Sequence, residues 1–207
     1  MRVGDTTRLE SLERLSPELF LAAGCLAAGH AVIAGVRAVT ELATLPDVFA
    51  PAGGLVALLG LCGVAVALAD RAPWLARAGA ACAALGAVGF ATITAGTLAE
   101  VGGVEPPGWV AAFTLPAVVG MVPGFLAAGA ASLRAGVHAR TVGLVLLTPG
   151  VVFLGILAAV TLFGTSALAG LLGGGGLALS HLSIGYALRT GDDPADRASP
   201  AGDATAG

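Results

Sequence analysis

The sequence predicts an all-α protein, a six-helix transmembrane bundle with both termini on the cytoplasmic side. Three observations carry that prediction. The 207-residue chain is 57% hydrophobic and only 11% charged, too little charge for a soluble domain to cover itself, and its mean hydropathy is +0.92. Six apolar stretches are each close to the roughly 20 residues that a helix needs to cross about 30 Å of hydrocarbon. All ten basic residues are Arg, and nine of them fall in the N-terminal tail, in every second connection and in the C-terminal tail. Backbone groups in lipid must be satisfied within their own segment, so the stretches are helices. The alternating pattern of a membrane β-barrel strand is absent.

Residues 1–17 form a polar tail that carries Arg2, Arg8 and Arg14 among acids. Ser16-Pro17-Glu18 has the composition of a helix start: Ser caps, Pro suits the first helical position and Glu complements the dipole. The transmembrane domain, residues 18–189, then holds segments Leu19–Val36, Pro51–Ala69, Leu75–Leu98, Trp109–Leu133, Val142–Phe163 and Ala167–Leu188. Residues 190–207 are small, polar and acidic, and are expected to be a disordered cytoplasmic tail.

Orientation follows from Arg near helix ends, since acids count for little in the positive-inside rule. One side receives Arg71, Arg77, Arg134, Arg140, Arg189 and Arg197 besides the N-terminal three. The other receives residues 37–50, 99–108 and 164–166, with Arg37 beside Glu41, Asp47, Glu100 and Glu105. A five- or seven-helix count would destroy this asymmetry. Arg37 and Glu41 are four apart, so helix 1 is expected to run past the membrane with that pair exposed. Pro46-Asp47-Val48-Phe49 suits a short interfacial turn, and Trp74 and Trp109 sit at segment ends as interface anchors do. Arg71/Arg77 and Arg134/Arg140 share a six-residue spacing, which fits an internal repeat or positive-inside placement alone.

Helix association in lipid relies on close approach through small residues, and the chain has 32 Gly. Gly120, Gly124, Ala128 and Ser132 make one small stripe on helix 4; Gly79, Gly86, Gly89 and Gly96 make another on helix 3; Gly170 and Gly174 lie on helix 6 within and beside the run Gly173–Gly176. Pro116 and Pro123 in helix 4 and Pro149 in helix 5 each remove a backbone donor and are expected to kink their helices. Thr148-Pro149-Gly150 and the four-glycine run are the expected places for broken backbone.

No Asp, Glu or Arg lies deep in a segment, which argues against most ion-coupled carriers and proton pumps. His30 and His181 do lie at depth. Ala23, Ala27, His30 and Ala34 share a side of helix 1, and Gly174, Ala178, His181 and Gly185 share a side of helix 6, so both rings are expected to point into the bundle. The helical rise puts His30 roughly 18 Å and His181 roughly 11 Å above the inner surface. If helices 1 and 6 are neighbours, the two share one polar pocket, with Ser180, Ser183, Tyr186, Thr92 and Thr94 as further candidate lining for a substrate or proton site. Three roles stay open for the pair: interhelical hydrogen bonding, a titrating or substrate-contacting site, and haem ligation. His138, between Arg134 and Arg140, reads as a solvated loop residue.

Cys25, Cys62 and Cys82 lie inside apolar segments without metal spacing and read as inert thiols. Leu21-Ala22-Ala23-Gly24-Cys25 looks like a lipoprotein cleavage box, but only about six apolar residues precede Cys25 where a signal peptide needs about 7–15, so it is not expected to be lipidated. No Walker A loop, HExxH or GxSxG is present. The basic residues are too few and too mixed with acid for nucleic acid. No cofactor or metal is expected. The expected partner is the lipid bilayer; a homo-oligomer and a membrane partner subunit both stay open.

Lys, Asn and Gln do not occur, and Ala, Gly and Val dominate. With phrases such as SPELFLAAG and LRAGVHARTVGLVLL, the chain resembles the uncharacterised, Ala/Gly-rich multi-pass membrane proteins of halophilic archaea. The resemblance implies a multi-pass protein of the cell membrane and brings no catalytic motif. The expected role is non-enzymatic; the alternatives are a small transporter or permease with its site near His30 and His181, and a membrane cytochrome.

Overall fold

The computed structural model describes residues 3–40, 47–136, 140–164 and 166–191, with side chains from residue 11 onward except those of residues 163 and 191. His138, Glu41, Pro46, Thr165 and the acidic tail after residue 191 lie outside them, and so do the expectations placed there. Among the described residues there is no strand, and six helices are long and apolar enough to cross a membrane. They are α1 (Val3–Val39), α2 (Phe49–Leu68), α3 (Pro73–Val101), a composite α4 (Gly108–Ala135), α5 (Arg140–Phe163) and α6 (Ala167–Gly191).

Each span packs beside its sequence neighbour, and α6 closes the ring against α1. Even-numbered crossing puts the exposed Arg14, Arg71, Arg77, Arg134, Arg140 and Arg189 at one end and Arg37 at the other. The exterior is apolar: Val32, Val88, Leu115, Val151, Leu172 and Leu179 are 56–70% exposed, at least one on each of five spans. That girdle suits hydrocarbon rather than water. The most apolar window of α2 is 61% buried, against 28–33% for the other five spans, so α2 sits deepest in the bundle.

Glycines set how close the helices come. A Cβ on Gly120 would lie 2.6 Å from the Gly86 Cα, and one on Gly89 would lie 2.6 Å from the Ala117 backbone nitrogen. One turn along, Gly79 sits against Gly124 and Ala128. The small stripes of α3 and α4 therefore face each other, and backbone packs on backbone where any side chain would hold the helices apart. The α1–α6 contact uses the same device, with Gly24 against Leu182 and Gly185 against Leu21.

Three local expectations are corrected. α1 does not start at Ser16-Pro17-Glu18; it runs from Val3 straight through Pro17. Ser16 caps nothing: its hydroxyl donates to the Leu12 carbonyl, and it is 2% exposed. The reason is tertiary. Gly63 of α2 leaves room for Ser16 and the Leu12 carbonyl to lie flat against it, and that contact outweighs the donor lost at Pro17.

The two expected breaks are absent, and the backbone departs from the α-helix instead in α4, the span that holds Pro116 and Pro123. Thr148-Pro149-Gly150 and Gly173–Gly176 stay within continuous α-helix. The irregular span is α4, which begins as a 3₁₀ segment (Gly108–Phe113), makes an α segment (Thr114–Val119) containing Pro116, passes through a π turn (Gly120–Gly124) containing Pro123, and ends as α-helix (Phe125–Ala135). Pro123 supplies no amide hydrogen, so the ladder widens there to i→i+5 pairing. Gly136 ends the span in the left-handed region, φ 58°, with its amide on the Ser132 carbonyl.

Candidate functional site

The six-helix ring surrounds a partly open cavity of about 500 Å³, and every span contributes to its wall. Ser166 and His181 both line it; they are 15 residues apart, which corresponds to roughly 22 Å of helix. The cavity is therefore elongated, running along α6 from the end that carries Arg37 and Ser166 to a floor at His181. Between them the wall is apolar, from Phe90 and Ile93 on α3, Met121 on α4, Phe153 and Ile156 on α5 and Leu177 on α6.

His30 and His181 both line this one cavity. α1 and α6 are neighbours, which is the condition the sequence set for a shared pocket. The two imidazoles are in different situations. His30 is half-buried and its Nδ1 pairs with the Asp47 carboxylate. A carboxylate only accepts, so Nδ1 carries the proton in that contact. The other face of the ring lies on the glycines of α6: a Cβ on Gly174 would sit 2.7 Å from His30 Cδ2, and one on Gly170 4.0 Å from Nε2. Gly170 and Gly174 thus make the space that His30 occupies.

Asp47 is the site residue that sequence reasoning missed. Its second oxygen accepts from the amides of Phe49 at 3.1 Å and Ala50 at 3.4 Å, capping the first turn of α2. An acid two residues before an apolar helix is a readable cap signal. That its other oxygen reaches back across the connection to His30 has no signal in the sequence.

His181 is 1% exposed, and neither Nδ1 nor Nε2 has a hydrogen-bond partner among the described residues. Aromatic rings hold it in place. Phe20 stacks on it with centroids 6.3 Å apart, Phe125 tilts against it at 5.9 Å, and Phe20 and Phe125 meet edge to face at 6.1 Å. These rings fix the imidazole without satisfying it.

The other candidates lie elsewhere. Ser180 is buried, but its hydroxyl donates to the Gly176 carbonyl at 2.7 Å. Thr92 and Thr94 likewise donate to the Val88 and Phe90 carbonyls of their own helix. Ser183 and Tyr186 face outward, Tyr186 with 68% of its surface exposed. None of the five lines the cavity. The three cysteines are free thiols, Cys25 exposed and the others half-buried. Among the described residues no three His, Cys, Asp or Glu cluster as a metal site would require.

Comparison with family models, with curated proteins and with solved structures finds no match to this chain. The cavity and its lining therefore carry the functional reading.

Proposed function

We propose that this integral membrane protein takes a small, largely apolar molecule into its central cavity, as a permease does, in a non-enzymatic role. We infer from the Arg distribution that both termini face the cytoplasm, which puts the His30–Asp47 end of the cavity outside. One observation carries the reading: a single cavity between all six helices is lined by the two intramembrane histidines. Its volume of about 500 Å³ falls in the range of small-molecule sites, which are mostly apolar with a few placed polar groups. Interhelical hydrogen bonding accounts for His30, which ties α1 to the start of α2. It does not account for His181, whose nitrogens have no bonding partner among the described residues.

Thiol accessibility tests this. In a variant with Cys25, Cys62 and Cys82 replaced by Ala, Leu177→Cys places a thiol on the cavity wall and Leu179→Cys places one on the outer, lipid-facing surface. A small uncharged maleimide in the external medium is expected to label Leu177→Cys much faster than Leu179→Cys. Equal, slow labelling of both sinks the proposal.

A further inference from the structure

The cavity has two polar ends in unequal states. At the Arg37 end, His30 and Asp47 already bond each other, and the second Asp47 oxygen is held by the amides of α2. At the floor, His181 is fully enclosed and both ring nitrogens lack a partner among the described residues. A buried polar group without a partner is costly to leave unpaired, so the incentive to accept a ligand's polar group is at the floor. No described charged side chain lies there; Arg37, the charged residue that lines the cavity, is at the opposite end. A charged head group brought to His181 would lose its hydration with no countercharge to replace it. A neutral imidazole offers one donor and one acceptor, and a hydroxyl is both, so a hydroxyl matches either tautomer.

Resting on the cavity's role in admitting a molecule, we propose that His181 is the binding residue for the uncharged hydroxyl of a chain-like amphipathic alcohol. Both nitrogens are covered in the structure, so the ring turns from between Phe20 and Phe125 and a nitrogen then bonds the hydroxyl at the floor. The hydrocarbon body lies along Phe90, Met121, Ile156 and Leu177 toward the Ser166 end. The chain shape follows from a cavity of about 500 Å³ spread over roughly 22 Å of helix.

The native protein carries its own probes. It has three His and two Met, and Met121 lines the cavity. With histidine nitrogens and methionine methyl carbons isotope-labelled, the protein in lipid discs is titrated with dodecanol, and separately with dodecane. His30→Gln and His138→Gln identify the His181 resonances by elimination, so His181 itself stays intact. Dodecanol is expected to shift the Met121 methyl and the His181 ring nitrogens together, with saturation. Dodecane is expected to shift Met121 alone. If both probes move Met121 but dodecanol leaves His181 where it was, or moves His30 instead, the hydroxyl assignment is overturned while the cavity reading stands. If neither probe moves Met121, the cavity admits no such molecule and both readings fall.

Discussion

Asp47 joins two helices through its two carboxylate oxygens: one accepts from His30 of α1, the other from the Phe49 and Ala50 amides that open α2. The intramembrane imidazole is thus oriented by an acid that belongs to a connection, and the same acid fixes where α2 begins.

Removing that acid has graded consequences. Asp47→Ala loses a cap worth about 1 kcal/mol and a charge-assisted hydrogen bond worth about 1.5–3 kcal/mol. Asp47→Asn keeps an acceptor for the amides and is expected to lose only the second part. Thermal unfolding in detergent, with the His30 ring-nitrogen resonance as a local reporter, should rank wild type above Asn above Ala. Three equal midpoints would show that the link contributes nothing.

The α3–α4 contact leaves no room for a methyl group. Gly86→Ala and Gly120→Ala each drive a Cβ into the backbone of the facing glycine and are expected to destabilise by about 1–3 kcal/mol or more, as overpacking does. Gly175→Ala meets nothing within 4 Å and should stay within about 1 kcal/mol of wild type, with helix propensity in its favour. Comparable losses at all three positions would mean that the close approach is not what holds these helices.

The extension of α1 through Pro17 can be checked from the other side of its contact. A Cβ on Gly63 would lie 2.5 Å from the Leu12 carbonyl oxygen. Gly63→Ala should therefore cost as much as the α3–α4 substitutions, whereas a helix that began at Ser16 would tolerate it.

His181 sets stability against binding. Leu in its place removes two unpartnered nitrogens from an apolar enclosure, and His181→Leu is expected to raise stability by up to about 1–3 kcal/mol. His181→Ala leaves a void between Phe20 and Phe125 and is expected to lower it. A destabilised His181→Leu would point to a bonded, structural imidazole.

How much of this was legible in the sequence depends on what each signal measures. Hydropathy over some 20 residues measures length and burial in lipid, so the six spans were readable. Gly120, Gly124 and Ala128 recur at helical spacing, as do Gly79 and Gly86, so their stripes were readable too; that they face each other followed once the helices were known to be sequential neighbours. Ser183 and Tyr186 point outward because, on α6, the buried positions, among them Gly174, Ala178, Ser180, His181, Ile184 and Gly185, lie on the opposite side. The helical period already separated them from His181. The hydroxyls of Ser180, Thr92 and Thr94 went to their own helix carbonyls, the local bond always within their reach. Proline rules put a helix start at Pro17 and a break at Pro149, where the helix is continuous; they also put kinks at Pro116 and Pro123, and the irregular backbone of α4 falls there, but its form as a π turn has no signal in the sequence. The Asp47–His30 contact was illegible because a connection's fold-back leaves no periodic trace.

The most direct test of the central claim is an experimental density map of the protein extracted in its native lipid. Expected is elongated density between His181 and the Ser166 end, with one atom within hydrogen-bond distance of a His181 ring nitrogen. Closure of α5 and α6 onto α3, with Leu177 packed directly against Phe90 and no space between them, would contradict it.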